Sequence, residues 1–438
     1  MFEIYPNFNK KFYCPFCQKE LTSKEIQIPG MRVVADTYCP NCQKEFYADL
    51  PIRHNTILDC ILDKETGETY NLYGNQSKNK ESFYSRELKQ AFTSKKENHN
   101  IEFQEINKQE NDTKKEELII INCLDPCYGH SLFALLNSQY YLDNHPEKEL
   151  LIIIPKLLSW ILPKGNYRAI EVNISLAKSC LWLENLNSHL KKIFEDYQKV
   201  YLSECFYPQP DYIDINRFIP ECRPFDISKL GNKEKPTITF LTREDHRLWI
   251  QAGPFFKKVK KLKNSHRFKD NNLIKKISLY YQRLSIIQLY QELQKIFPDV
   301  DFAVMGTAKT GTFPKEIKDL RNPKPNKETE LQWAKRLSQT QVAIGIHGSN
   351  VILPSLLSGS TIKLLHNFKP KSIIQDLLPN EKEPRMALVR YRHLPTESSI
   401  FTAVKNIQSI INNFSKTYSW TKKDQYYDLD PRHKLYKK

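Results

Sequence analysis

Glycine is the first scarcity: 12 residues in 438. That excludes collagen-like chains and glycine-rich repeat architectures, and no internal repeat is visible. Long hydrophobic runs are also missing. The most apolar stretch, Leu150 to Pro163, holds two prolines and Lys156, and falls short of the ~20 residues that a bilayer crossing needs. No basic segment followed by an apolar run stands at the start, so the expectation is a cytosolic chain with no signal peptide. In that compartment the ten cysteines are expected to be thiols and metal ligands rather than disulfides.

The apolar set makes up 40% of the chain and charged residues 26%, enough for sizeable cores. The length suggests roughly three folding units at about 150 residues each. Lys and Arg number 66 against 50 Asp and Glu, a formal charge of +16. The excess is uneven. Residues 1–50 are neutral, with six of each sign, whereas residues 251–290 carry ten basic side chains against the single Asp270. Such a stripe is either a solvated face or a draw for phosphate and acidic surfaces.

The N-terminal segment reads as a zinc ribbon. Cys14-Pro-Phe-Cys17 is followed by Cys39-Pro-Asn-Cys42, and both share the run aromatic-Cys-Pro-x-Cys-Gln-Lys-Glu, led by Tyr13 and Tyr38. Each Cys-x-x-Cys turn aims two thiolates at one point, and two such turns close a tetrahedral site. Four thiolates leave no open position, so the zinc is expected to be structural and to supply folding energy. Residues 1–74 are therefore assigned to the ribbon and a hairpin. The hairpin strands lie near Thr56–Leu62 and Glu68–Leu72, with Gly67 in the turn. Residues 75–116, rich in Lys, Glu, Asn, Gln and Ser, read as a linker with a short helix near Ser85–Phe92.

Two α/β units are expected next, at 117–228 and 229–415, with a basic tail at 416–438. The first has apolar strands at Leu118–Cys123 and Leu150–Ile154, and between them the turn Leu124-Asp125-Pro126-Cys127-Tyr128-Gly129-His130. Residues 206–235, rich in proline and charge, are expected to join the units. The second runs strand Thr237–Leu241, helix from about Leu273 to Ile296, strand Phe302–Met305, helix Glu328–Leu337, strand Val342–Ile346, helix Val351–Leu357 and strand Thr361–Leu365. That alternation predicts a doubly wound parallel sheet.

Open α/β sheets bind ligands at the carboxyl ends of their strands. Two loops there carry suitable chemistry. One has Arg243 and Arg247, whose guanidinium forks match phosphate bidentately. The other is Gly345-Ile346-His347-Gly348-Ser349-Asn350 at a helix start, where exposed N–H groups attract an anion. The plainer alternatives are a surface ion pair of the arginines with Glu244 or Asp245, and an ordinary strand–helix turn.

The combination resembles glycosyltransferase family 61. The matching pieces are Tyr128-Gly129-His130-Ser131-Leu132, then Leu241-Thr242-Arg243 with Arg247, then Ala343-Ile344-Gly345-Ile346-His347-Gly348. The likeness spans roughly residues 117–370, and the family's usual His-Gly-Ala-Gly stands here as His347-Gly348-Ser349-Asn350. It implies a GT-B fold of two Rossmann-like domains across a cleft. It also implies inverting transfer from a nucleotide-sugar donor to a hydroxyl of a glycan or lipid-linked acceptor. Donor binding then falls to Arg243, Arg247, Gly345, His347, Gly348, Ser349 and Asn350, and catalysis to His130 and Asp125. The carboxylate pair Asp299/Asp301 precedes its strand, and Asp428/Asp430 lies in the tail. No catalytic metal is therefore expected, with arginines in the cation's place.

The 257–276 basic stretch raises docking at an anionic membrane face. The competing readings are a zinc-ribbon nucleic-acid-binding protein, a fucosyltransferase-like GT-B enzyme and a non-catalytic scaffold. The neutral ribbon and the lack of an RNA-binding signature speak against nucleic acid.

Overall fold

The structure, a computed structural model, describes residues 1–52, 60–71, 83–97, 99–107, 115–204, 210, 212–244, 248–251, 272–307, 309–365 and 390–421. The chain divides into two compact units, Met1–Pro210 and Asp211–Lys438.

The first unit opens with β1 (Phe2–Tyr5) and an antiparallel sheet of β2 (Thr22–Gln27), β3 (Val34–Tyr38), β4 (Glu45–Asp49), β5 (Cys60–Asp63) and β6 (Thr69–Asn71), paired in chain order. The β5–β6 turn ends at Gly67 with φ +71°, a conformation that glycine adopts without a Cβ penalty. Then come α1 (Phe83–Ser94), β7 (Phe103–Asn107), β8 (Glu117–Asn122), α2 (Tyr128–Leu136), α3 (Ser138–Asn144), β9 (Glu149–Pro155), β10 (Arg168–Val172), α4 (Glu184–Phe194) and β11 (Lys199–Leu202). A second sheet has the order β1-β11-β8-β9-β10-β7. Its four inner strands are parallel, and β1 and β7 close the edges antiparallel. Every residue of β9 is buried, as its unbroken apolar run requires of a strand covered on both faces.

Two expectations change here. The ribbon is not a separate module. One core holds Cys14, Cys39, Phe46 and Ala48 together with Leu118, Ile120, Leu151 and Val200. A sheet this small cannot bury enough surface alone, and it gains a core by packing on its neighbour. Gly30 marks the closest approach, since a Cβ there would meet the Leu181 carbonyl oxygen at 2.5 Å. Nor is 75–116 all linker. Helix α1 buries Leu88 and Ala91 against Val34, Tyr47 and Trp182, and β7 pairs with β10 in five-residue register.

The second unit contains α5 (Ile215–Phe218), β12 (Thr237–Leu241), α6 (Asn272–Ile296), β13 (Asp301–Met305), β14 (Lys318–Asp319), α7 (Lys327–Ser338), β15 (Val342–Ile346), α8 (Ile352–Leu357), β16 (Ser360–Leu365), β17 (Tyr391–Pro395) and α9 (Ile400–Thr421). Its sheet has the order β14-β13-β12-β15-β16-β17, with all pairs parallel. Counted from β12, that is 3-2-1-4-5-6, the strand order of doubly wound nucleotide-binding sheets. The unit starts earlier than position 229 because residues expected to connect the units belong to it. Phe225 N–H donates to Leu357 O at 2.8 Å, and the Gln341 amide donates to Leu230 O and Asn232 O at 3.1 and 2.7 Å. Helix α9 runs past 415 to Thr421, so the tail expected from 416 begins helical. Residues 257–271 of the basic stretch, and Asp428 and Asp430, lie outside the described residues.

A buried charge network ties β4 to α1. Asp49 is fully buried, and its carboxylate pairs with the Arg32 guanidinium (Nε to Oδ1 3.1 Å), which also lies 3.5 Å from Glu87. Removing one partner strands the other charge out of water. Asp49→Ala is expected to cost roughly 3–5 kcal/mol, measured by urea unfolding against wild type.

Candidate functional site

In a 3-2-1-4-5-6 sheet the strand order reverses between strands 1 and 4, and the crevice for a ligand opens at their carboxyl ends. Here those strands are β12 and β15. Beyond β12 comes Arg243, and beyond β15 comes His347-Gly348. Although 104 positions separate them, Arg243 Nη1 donates to the His347 carbonyl at 3.3 Å.

Glycines make this approach possible. A Cβ on Gly345 would stand 2.4 Å from Leu241 Cβ, so β15 could not lie so close to β12 with a side chain there. A Cβ on Gly348 would stand 1.6 Å from Arg243 Nη1. Gly348 itself has extended backbone, φ 163° and ψ −176°, so the demand is for space and not for a special dihedral. On the other flank, Gly306 follows β13 at φ +154° and comes 2.5 Å, measured from its ideal Cβ, to the Thr242 carbonyl oxygen.

The Arg243 backbone is fixed from below. Gln282 on α6 is buried, and its amide donates to Thr242 Oγ1 at 3.1 Å and to Arg243 O at 2.7 Å, while its oxygen accepts from Trp249 N–H at 3.0 Å. Glu244 accepts from Thr310 N–H at 2.9 Å and from Arg321 Nη1 at 3.3 Å. Arg321 in turn grips both oxygens of Asp319, at 2.8 and 2.9 Å. The carboxylate beside Arg243 thus holds the loop together. Neither Gln282 nor Arg321 was a sequence candidate, since a polar residue in a long helix and an arginine in a proline-rich loop carry no motif.

Ser349 and Asn350 begin a short 3₁₀ turn, Ser349–Val351, that leads into α8. The Asn350 side-chain oxygen is buried and accepts no hydrogen bond among the described residues. Arg247 lies outside the described residues.

The first unit carries the other pair. Asp125 follows β8 and is 1% exposed, and its Oδ1 lies 3.2 Å from His130 Nδ1 and accepts the Cys127 N–H at 2.8 Å. Burial alone would lower the His130 pKa. Hydrogen bonds to the Asp125 carboxylate and the Cys127 thiol outweigh it and push the value up to about 10. At neutral pH this ring is therefore an imidazolium held by a buried anion.

The four ribbon cysteines come together, with their sulfurs all within 4.8 Å of one another. Cys17 Sγ to Cys39 Sγ is 3.5 Å and Cys14 Sγ to Cys42 Sγ is 3.9 Å, bracketing the ~3.8 Å edge of a tetrahedron with Zn–S bonds near 2.3 Å. The two turns are built alike. Gln18 N–H donates to Cys14 O and Gln43 N–H to Cys39 O, and Gln18 and Gln43 have φ of 60° and 58°. The repeated sequence thus becomes a repeated backbone. Backbone hydrogen bonding at Lys19 draws the Cys17 pKa down to about 6, while contact with Cys17 pushes Cys42 up to about 12. Thiols this close resist ionising together, and a bound cation relieves that repulsion.

Asp301 sits at the amino end of β13 and pairs with Lys318 Nζ at 2.7 Å and Arg336 Nη1 at 3.0 Å. It is a structural anchor. No helix among the described residues is long and apolar enough to cross a membrane.

No family model and no curated protein matches the chain. Among solved structures it is similar to the ADP-heptose lipopolysaccharide heptosyltransferase II of E. coli, at 9% identity and a TM-score of 0.39, over 68% of this chain and 99% of that one. It is also similar to a Listeria monocytogenes protein described as a UDP-N-acetylglucosamine 2-epimerase, at 8% identity and a TM-score of 0.28, over 70% of this chain and 68% of that one.

Proposed function

We propose that the chain is an inverting glycosyltransferase of the GT-B kind, built on two Rossmann-like sheets. In this reading it moves a sugar from a nucleotide-sugar donor to a hydroxyl of a glycan or lipid-linked acceptor, without a catalytic metal. The observation that carries the reading is the contact of the Arg243 guanidinium with the His347 carbonyl over Gly348, at the switch point of a 3-2-1-4-5-6 sheet. A guanidinium beside backbone N–H groups at a helix entrance suits a leaving diphosphate, whose charge grows in the transition state. The unmet Asn350 oxygen calls for a donor, which a ribose or sugar hydroxyl provides. Arg247, Gly345 and Ser349 complete the proposed donor set.

Two variants test it. Arg243→Ala removes a charge-assisted contact worth about 1.5–3 kcal/mol, so nucleoside diphosphate affinity by calorimetry is expected to fall about ten- to a hundredfold. Gly348→Ala displaces only the tip of a flexible side chain. It is expected to weaken binding similarly with an unchanged melting temperature. Wild-type affinity in both variants would contradict the reading.

In the first unit, Asp125 orients His130, and His130 accepts the acceptor hydroxyl's proton once its ring is neutral. Because its pKa is pushed up to about 10, the neutral fraction grows through the alkaline range, and kcat is expected to climb from pH 7 towards 10. A flat profile across that range would remove His130 from this role.

The four ribbon cysteines are proposed to hold one structural zinc, which contributes to folding. Purified protein is expected to carry one zinc per chain by mass spectrometry. Cys14→Ser with Cys39→Ser is expected to lose it and to unfold the first unit, because these sulfurs belong to the shared core.

A further inference from the structure

The carboxyl edge of the second unit's sheet holds another guanidinium, outside the donor set named above. Arg283 lies on α6, 40 positions beyond Arg243. It directly follows Gln282, whose amide holds Thr242 and Arg243, so α6 passes this edge. A Cβ on Gly311 would overlap Arg283 Nη1. Gly311 also has φ +66°, so both space and backbone conformation call for glycine there. Arg243 stands over Gly348 in the same way. Gly311 comes after β13 and Gly348 after β15, and those strands flank β12 in the sheet. Two guanidiniums, each resting on a glycine, therefore stand on either side of the end of β12.

The acids near Gly311 are already engaged. Glu244 accepts from Thr310 N–H and Arg321, and Asp319 holds the Arg321 fork with both oxygens. Arg321 also donates to Thr310 O at 3.1 Å and to Gly311 O at 2.8 Å, which fixes the turn that Arg283 meets. Among the described residues Arg283 itself makes no ion pair and no hydrogen bond. Its guanidinium lies over the half-exposed Tyr280 ring, with Cζ 5.2 Å from the centroid. Lys309, exposed beside Thr310, adds a second positive charge. A partly buried cation with no anion bears a desolvation cost that an arriving anion offsets, and a guanidinium fork fits a phosphate best. We propose that Arg283 is a second anion-binding residue of the donor site. It takes one phosphate of a pyrophosphate group while Arg243 takes the other, so the site selects nucleoside diphosphates over monophosphates. The inference rests on the reading that the ends of β12 and β15 bind the donor's phosphates, and it adds the donor class. Arg283 binds and makes no bond to the sugar.

The test uses the full chain, the arginine reagent phenylglyoxal and two probes, inorganic pyrophosphate and orthophosphate. Labelling is followed peptide by peptide in wild-type protein. Pyrophosphate is expected to protect Arg243 and Arg283 with one midpoint, at a concentration about tenfold or more below that of orthophosphate. Arg283→Gln is expected to raise the pyrophosphate midpoint at Arg243 about ten- to a hundredfold. The orthophosphate midpoint and the melting temperature are expected to stay as in wild type. Protection of Arg243 with Arg283 still labelled, equal midpoints for the two probes, or unchanged selectivity in the variant would overturn the proposal. The first two readouts come from wild-type protein, so a misfolded variant cannot obscure them. Protection of both residues by pyrophosphate without any sugar transfer would count against the enzyme reading alone, and protection of neither would overturn the donor site together with this inference.

Discussion

A guanidinium lying over a residue without a side chain, and donating to the carbonyl just before it, is the contact on which the second unit's proposed chemistry depends. Arg243 reaches His347 only because Gly345 lets β15 press against Leu241 and Gly348 leaves room for Nη1. Around that contact the surroundings remove freedom. Gln282 pins the Thr242–Arg243 backbone from the long helix, and Glu244 is tied to Arg321 and Thr310. A charge held this way pays little reorganisation when an anion arrives, the condition under which such groups act most strongly.

The first unit solves a different problem. A ribbon of short strands cannot bury its own apolar residues, and it meets that need by sharing a core with the β8–β9–β10–β11 sheet. The sulfurs of Cys14 and Cys39 stand in that core. The proposed zinc would therefore stabilise the same residues as the sheet packing. The β8 loop, with Asp125, Cys127 and His130, starts from this sheet, so the ribbon's integrity and the loop's geometry are linked through Leu118 and Ile120.

Much of this was legible in the residues. The doubled cysteine run announced the four-cysteine cluster, because two copies of one eight-position pattern fold into two matching turns. Strands β12, β15 and β16 were plain because buried parallel strands are short apolar runs between turn signals. The Arg243 and His347 loops could be paired because strand ends of one sheet gather at one edge. What stayed hidden depends on distant contacts. Strand β7 reads as polar linker, since an edge strand shows half its side chains to water. The ribbon's core partners in α1 and in the β8–β9–β10–β11 sheet lie far along the chain. The His130 charge state comes from a buried carboxylate and a thiol whose approach no spacing rule gives.

Hydrogen–deuterium exchange with and without saturating nucleoside diphosphate tests the central claim most directly. The account predicts slowed exchange in both peptides, one covering 242–244 and the other 347–350, in the same titration and with the same midpoint. Protection of neither segment, or of one without the other, would contradict it.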